Sequence, residues 1–272
     1  MRLVPTTANS TPFSTDTATT LPPPTATFTP TVTATAMPVP LVTEIDSPLQ
    51  GMPLTDLAKN TSNPYYFKHP FSEGPTNDLN HPAVDLAFFH YKNYNSDVGF
   101  PIQAILPGTV VEALNNRYPY GNMVLIETPL SALAPELLEK IQIPKAYSDD
   151  EIKIRSTCQP DQTRISWSQT NQSIYVLYAH MQNPPTLKAG DEVQAGELLG
   201  GIGASGHAEV GAEHLHLEIR VGPAEAKFGV ISSYLSSSTA EERYNYCIWA
   251  LSEVFQPIDP SLFWETSSNQ GG

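Results

Sequence analysis

Strict alternation of polar and apolar positions marks His214-Leu215-His216-Leu217-Glu218-Ile219-Arg220. A period of two belongs to a half-buried β-strand, so Leu215, Leu217 and Ile219 are expected to face a core, with His214, His216, Glu218 and Arg220 on the opposite face. Same-face neighbours on a strand stand about 7 Å apart, which brings two imidazoles to one place. Upstream, Ser173 to His180 is β-branched and aromatic and reads as a second strand, with His180 at its far end. His81 and Asp85 are four apart, a helical spacing, but Pro82 disfavours the α region for the residue before it. His81 is therefore expected to be extended, leading into a strand through Val84, Asp85 and Leu86. The period changes near the C terminus. Ser238-Thr239-Ala240-Glu241 reads as a capping box opening a helix with Tyr244, Cys247, Ile248 and Leu251 on one inward face.

Composition changes the picture at the N terminus. Residues 5 to 40 are Thr, Pro, Ala and Ser in loose repetition, with Asp16 the only charge. Such a stretch cannot bury enough apolar surface to offset its ordering entropy, and its prolines keep it extended. The expected layout is a disordered stalk or linker over 1–45, one domain over 46–266, and a disordered tail over 267–272. Met1 to Pro5 lacks the apolar stretch of a signal peptide, and no run of 18 apolar residues occurs, so no transmembrane segment is expected in this chain. A stalk of this kind commonly lifts an exported domain off a surface, so the location is expected in the cell envelope or outside the cell, with the true start upstream favoured over a chain not exported by the usual route.

A formal net charge of −14 speaks against nucleic acid and against anionic membrane surfaces as partners. Cys158 and Cys247 are too few for a scaffold of bridges. They are read either as one pair, in an oxidising compartment, or as two buried thiols; neither is expected to be catalytic.

The histidines carry the chemistry. Nitrogen and carboxylate donors from His81, Asp85 and one of His214 and His216 would make a three-ligand set, and a fourth tetrahedral position left to water is the mark of a catalytic zinc. Zinc lowers the pKa of such water to about 7 and polarises a peptide carbonyl, while imidazoles that are not ligands can take up a proton and stabilise an oxyanion. Hydrolysis of a peptide bond is the natural chemistry. His69, His90 and His207 have no partner at ligand spacing and are read as solvated or locally hydrogen-bonded. The run Gly200-Gly201-Ile202-Gly203-Ala204-Ser205-Gly206 lacks the Lys-Ser/Thr ending of a phosphate-binding loop and is read as a tight turn. No H-E-x-x-H occurs, which excludes a helix-borne zinc site of that kind.

Taken in order, H-x-x-x-D at His81, Gly99-Phe100-Pro101-Ile102, Pro107-Gly108-Thr109-Val110-Val111, Tyr120-Gly121-Asn122-Met123-Val124, Tyr178-Ala179-His180-Met181, Lys188 to Val193, the glycine run and the final H-x-H resemble the LytM/lysostaphin-type zinc endopeptidases. The likeness runs from about His81 to Arg220, and its tail reaches Pro257-Ile258-Asp259-Pro260, where such domains close. It implies a mainly β fold with an antiparallel β-sheet core, carrying loop and short-helix insertions. It also implies His81, Asp85 and His216 as Zn2+ ligands, His180 and His214 as catalytic imidazoles, and peptidoglycan peptides as substrate. Three features depart from the family pattern: Ala83 where glycine is usual, a longer aromatic-rich stretch between Asp85 and Gly99, and an insertion over about 129–172. A second, helical insertion is expected over about 223–256. The alternative is a non-catalytic wall-binding or hydrolase-activating module of the same fold; such relatives typically lack metal ligands that this chain retains.

Overall fold

The computed structural model describes residues 41–60, 67–69, 71–72, 81–87, 98–145, 158, 165–208, 213–233, 236–252 and 254–265. Of the two units into which the chain divides, Met1–Val39 lies outside the described residues, and Pro40–Gly272 holds every element named below. The N-terminal stalk (all but its last few residues), the C-terminal tail and the aromatic stretch over 88–97 likewise fall outside them.

The alternating segment and the β-branched, aromatic one become the two central strands. They are β6 (Gln172–Ala179) and β9 (Leu215–Pro223), and they pair antiparallel along their full length, with Tyr178 opposite Leu217 and Ala179 opposite His216. Around them runs an eight-stranded sheet: β1 (Phe67–His69), β2 (Val84–Leu86), β9, β6, β5 (Gly121–Pro129), β4 (Gly108–Arg117) and β7 (Glu192–Val193), with β10 (Gln256–Ile258) also on β9. All of these pairings are antiparallel. β3 (Pro101–Gln103) and β8 (Leu198–Gly201) form a separate two-stranded sheet. The helices are short: α1 (Leu54–Lys59), α2 (Pro135–Lys140), α3 (Ala240–Tyr246) and α4 (Leu262–Glu265). Among the described residues no helix is long and apolar enough to cross a membrane.

The expected mainly β, antiparallel fold is what the chain adopts. His81 is extended, as Pro82 demands, and β2 begins at Val84. The closing segment at Pro257 and Ile258 does pair with β9. β5 and β6 are neighbours joined through residues 130–171, the span expected to be the larger insertion. Its described part includes α2 and Leu133, which bridges Val42.

Two points differ from the sequence reading. β9 is not half-buried: Leu215, Leu217 and Ile219 enter one apolar cluster with Ile174, Val176 and Tyr178, but Glu218 and Arg220 are also buried, at 1% and 2% exposure. The cover is a second cluster in which Tyr175, Leu177, Met123 and Leu125 meet Phe228, Ile248, Trp249 and Phe255 from the helical insertion. The second point concerns α3. Its capping box is set by Thr239 and Glu242, one residue later than expected, with Glu242 N–H donating to Thr239 Oγ1 and Thr239 N–H to the Glu242 carboxylate. The next turn, Cys247–Leu251, is a π-helix. Its wider i→i+5 spacing rotates the face, so Trp249 turns inward beside Ile248 and Leu251 is left 37% exposed. Cys158 and Cys247 form a disulfide that ties the two insertions together across 89 residues of sequence.

Candidate metal centre

Each of the five histidine and aspartate side chains is positioned by backbone pairing. Asp85 lies opposite His216 in the β2/β9 register, and Ala179 lies opposite His216 from the other side, which brings the end of β6 against the same point. His81 precedes β2 and bridges Ser72. His214 precedes β9 and bridges Gly203 of the glycine run. His180 follows β6 with φ at 59°, a left-handed backbone uncommon outside glycine and concentrated at functional sites. That conformation is held by His180 N–H donating to the Tyr120 carbonyl at 2.9 Å.

The donors converge. His81 Nε2 lies 3.2 Å and His216 Nδ1 3.0 Å from Asp85 Oδ1. One ligand atom from each of His81, Asp85 and His216 lies within 4.8 Å of the others, so two nitrogens and one oxygen can meet a single cation. This N, N, O set suits zinc. His214 Nε2 stands 3.5 Å from the same Asp85 oxygen, and the His180 and His214 rings face each other with centroids 4.8 Å apart. The five sequence-predicted site residues are therefore brought together. His207, read as solvated or locally hydrogen-bonded, is exposed, with its Nδ1 2.9 Å from Tyr118 Oη. The side chains of His69 and His90 are outside the described residues.

Electrostatics separate the imidazoles. Burial pushes the Asp85 carboxyl up, but hydrogen bonds from His216 and His81 outweigh it and hold the group far below the usual carboxylate range. Burial also opposes charge on His216, yet Asp85 and Glu218 raise it to about 9. His180 moves the other way: burial, with His216 and His214 alongside, pushes it down to about 3, against the pull of the Ser205 carbonyl. At neutral pH His180 is thus a neutral imidazole, and its Nδ1–H is directed at the Ser205 carbonyl.

Several supporting groups escaped the sequence reading. Ser205 O lies 2.8 Å from His180 Nδ1, so the run read only as a turn also orients a site imidazole. Ser205 Oγ accepts from Asn122 N–H and donates to the Met181 carbonyl, each at 2.8 Å. Gly206, at φ 76°, allows that loop to press on the backbone of Gly121, where a Cβ would collide. Glu218 and Tyr120 lie behind His216, with Tyr120 Oη donating to Glu218 Oε2 at 3.2 Å. Only the position of Glu218 on the imidazole face was visible in advance.

Residues 161–227 match the sequence model described as Peptidase family M23, which bears out the resemblance drawn from the motifs. The matched span holds His180, His214 and His216 and leaves out His81 and Asp85. The family match supports a peptidase. Among solved structures the chain is similar to a variant of the catalytic domain of the prophage-encoded M23 protein EnpA from Enterococcus faecalis, at 19% identity over 60% of this chain and 88% of that one, TM-score 0.34. It is similar to the antimicrobial peptidase lysostaphin from Staphylococcus simulans at 19% identity over 77% of this chain and 53% of that one, TM-score 0.36. A zinc-containing peptidase from Vibrio cholerae matches at 15% identity over 61% of this chain and 37% of that one, TM-score 0.32.

Proposed function

We propose that this chain is a zinc-dependent endopeptidase that hydrolyses peptide bonds in bacterial peptidoglycan, with His81, Asp85 and His216 holding the metal and His180 and His214 as the catalytic imidazoles. The observation that carries the reading is the convergence on Asp85 Oδ1 of nitrogens from three histidines, with a fourth imidazole, that of His180, edge-on to His214 and His216. Zinc held by that set supplies Lewis acidity, polarising a carbonyl and lowering the pKa of water to about 7. The chain's own groups do the rest. His180, whose Nδ1 donates to the Ser205 carbonyl, would offer its other ring nitrogen to the proton released as water attacks. His214, edge-on to His180, would donate a hydrogen bond to the oxyanion. Burial of both rings excludes bulk water and strengthens each interaction.

The substrate assignment rests on the M23 family match and the lysostaphin resemblance. Location in the envelope or outside the cell is supported by the Cys158–Cys247 disulfide, which persists in oxidising compartments, and by the Thr/Pro-rich residues 5–40, proposed as a stalk. The test is zinc stoichiometry in purified protein together with release of amino groups from purified wall, before and after chelation. One zinc per chain and activity that is lost on chelation and restored by zinc are expected. Bound zinc without amino-group release would instead favour a wall-binding or hydrolase-activating module.

A further inference from the structure

Glu218 and Arg220 form an ion pair in the interior, with Arg220 Nε donating to Glu218 Oε1. Replacing such a pair by apolar residues of similar volume often leaves a protein as stable or more so, so stability alone does not account for it. Its surroundings offer another reason. Trp249 Nε1 donates to Tyr120 Oη at 3.1 Å, and Tyr120 Oη donates to Glu218 Oε2 at 3.2 Å. That same carboxylate oxygen lies 3.6 Å from His216 Nε2, just beyond hydrogen-bond length. His216 Nε2 is buried and makes no hydrogen bond among the described residues. On the far side Arg220 Nη1 donates to the Phe255 carbonyl at 2.7 Å, and its guanidinium lies 5.2 Å from the centre of the Trp249 ring. Trp249 and Phe255 both belong to the segment between β9 and β10, which the disulfide at Cys247 fastens to the larger insertion.

A metal-binding histidine almost always gives its second ring N–H to a carboxylate or carbonyl, which fixes both the tautomer and the plane of the ring. We infer that Glu218 is the positioning residue for His216: gripped by Arg220 on one oxygen and by the Trp249–Tyr120 pair on the other, it keeps the His216 proton on Nε2 and turns Nδ1 toward Asp85. This inference rests on the metal reading of His81, Asp85 and His216. The segment between β9 and β10 thereby acts as a buttress of the metal centre, on the same face of the sheet as His216.

The test uses the full chain with its disulfide intact, titrated with zinc against a chromogenic chelator and, separately, loaded with cobalt(II). Glu218→Gln is expected to bind zinc about 10- to 100-fold more weakly and to shift the visible bands of the cobalt protein, with the far-ultraviolet circular dichroism unchanged. Tyr120→Phe, which keeps the ring and removes one donor, and Trp249→Phe, which removes the indole N–H and part of the ring, are expected to weaken zinc binding by smaller factors in that order. They decide the matter if Glu218→Gln does not fold. Wild-type zinc affinity and an unchanged cobalt spectrum in the folded variants would overturn the inference while leaving the metal centre standing. Failure of the wild-type chain to bind zinc at all would instead remove the reading on which it depends.

Discussion

The two faces of β6 and β9 are built on opposite rules. On one, Ile174, Val176, Tyr178, Leu215, Leu217 and Ile219 form a continuous apolar layer, and the single buried hydroxyl of Tyr178 is satisfied by donation to it from Ile105 N–H at 2.8 Å. On the other, the same strands present His216, Glu218 and Arg220 among aromatic rings, with Glu218 held by Arg220 and Tyr120, and Arg220 by the Phe255 carbonyl. A face of the first kind tolerates hydrophobic exchange so long as volume is kept; on a face of the second kind the loss of one partner strands another group in the interior. Shared strands thus hold a stability face and a chemistry face back to back.

The sharpest way to break this division is at the imidazoles. His180→Ala or His214→Ala is expected to lower wall hydrolysis by about 10²- to 10⁴-fold, measured as amino-group release, with the denaturant midpoint changed little. Leu217→Ala, one residue from His216 but on the other face, is expected to do the reverse: about 2–5 kcal/mol less stable in urea unfolding, with zinc affinity of the folded protein retained. Loss of zinc affinity in folded Leu217→Ala, or a large fall in the denaturant midpoint of His180→Ala, would show that the faces are not separable.

Cys247→Ser probes the cover of the chemistry face. Closing a loop of 89 residues constrains the unfolded chain by about 4 kcal/mol, so the variant is expected to unfold that much more easily. Metal-dependent stability supplies a pH test. With His216 raised to about 9 from 6.5, the stability it contributes to the metal-free chain is whole below pH 6.5 and is lost as pH rises through 9. Zinc must displace that proton, so affinity climbs over the same window, and the gap between zinc-loaded and metal-free unfolding temperatures is expected to widen from pH 6 to pH 9. The smallest effect belongs to Leu251: turned outward by the π turn, Leu251→Gln is expected to cost under about 0.5 kcal/mol, whereas an inward leucine would cost several times more.

Much of the site was legible because its residues sit on regular strands. Alternation in 214–220 identified β9 and the side on which His216 lies, and Pro82 was enough to choose an extended His81 over a helical one. Alternation reports sidedness, not cover. Glu218 and Arg220 looked like a wetted face because charged residues normally are, and only the packing of Trp249 and Phe255, some thirty residues on, decides otherwise. The phase of α3 was misjudged for a local reason, since a π turn has no strong mark in composition. Ser205 was hidden too: it contributes a backbone carbonyl, and any residue carries one.

β2 meets β9 through only three residue pairs, yet that short seam joins Asp85 to a histidine 131 positions away. No local segment of the polypeptide holds the constellation, so it comes into being only when β2 has docked on β9. Under the proposed function, hydrolytic activity is then itself a report that this seam has closed.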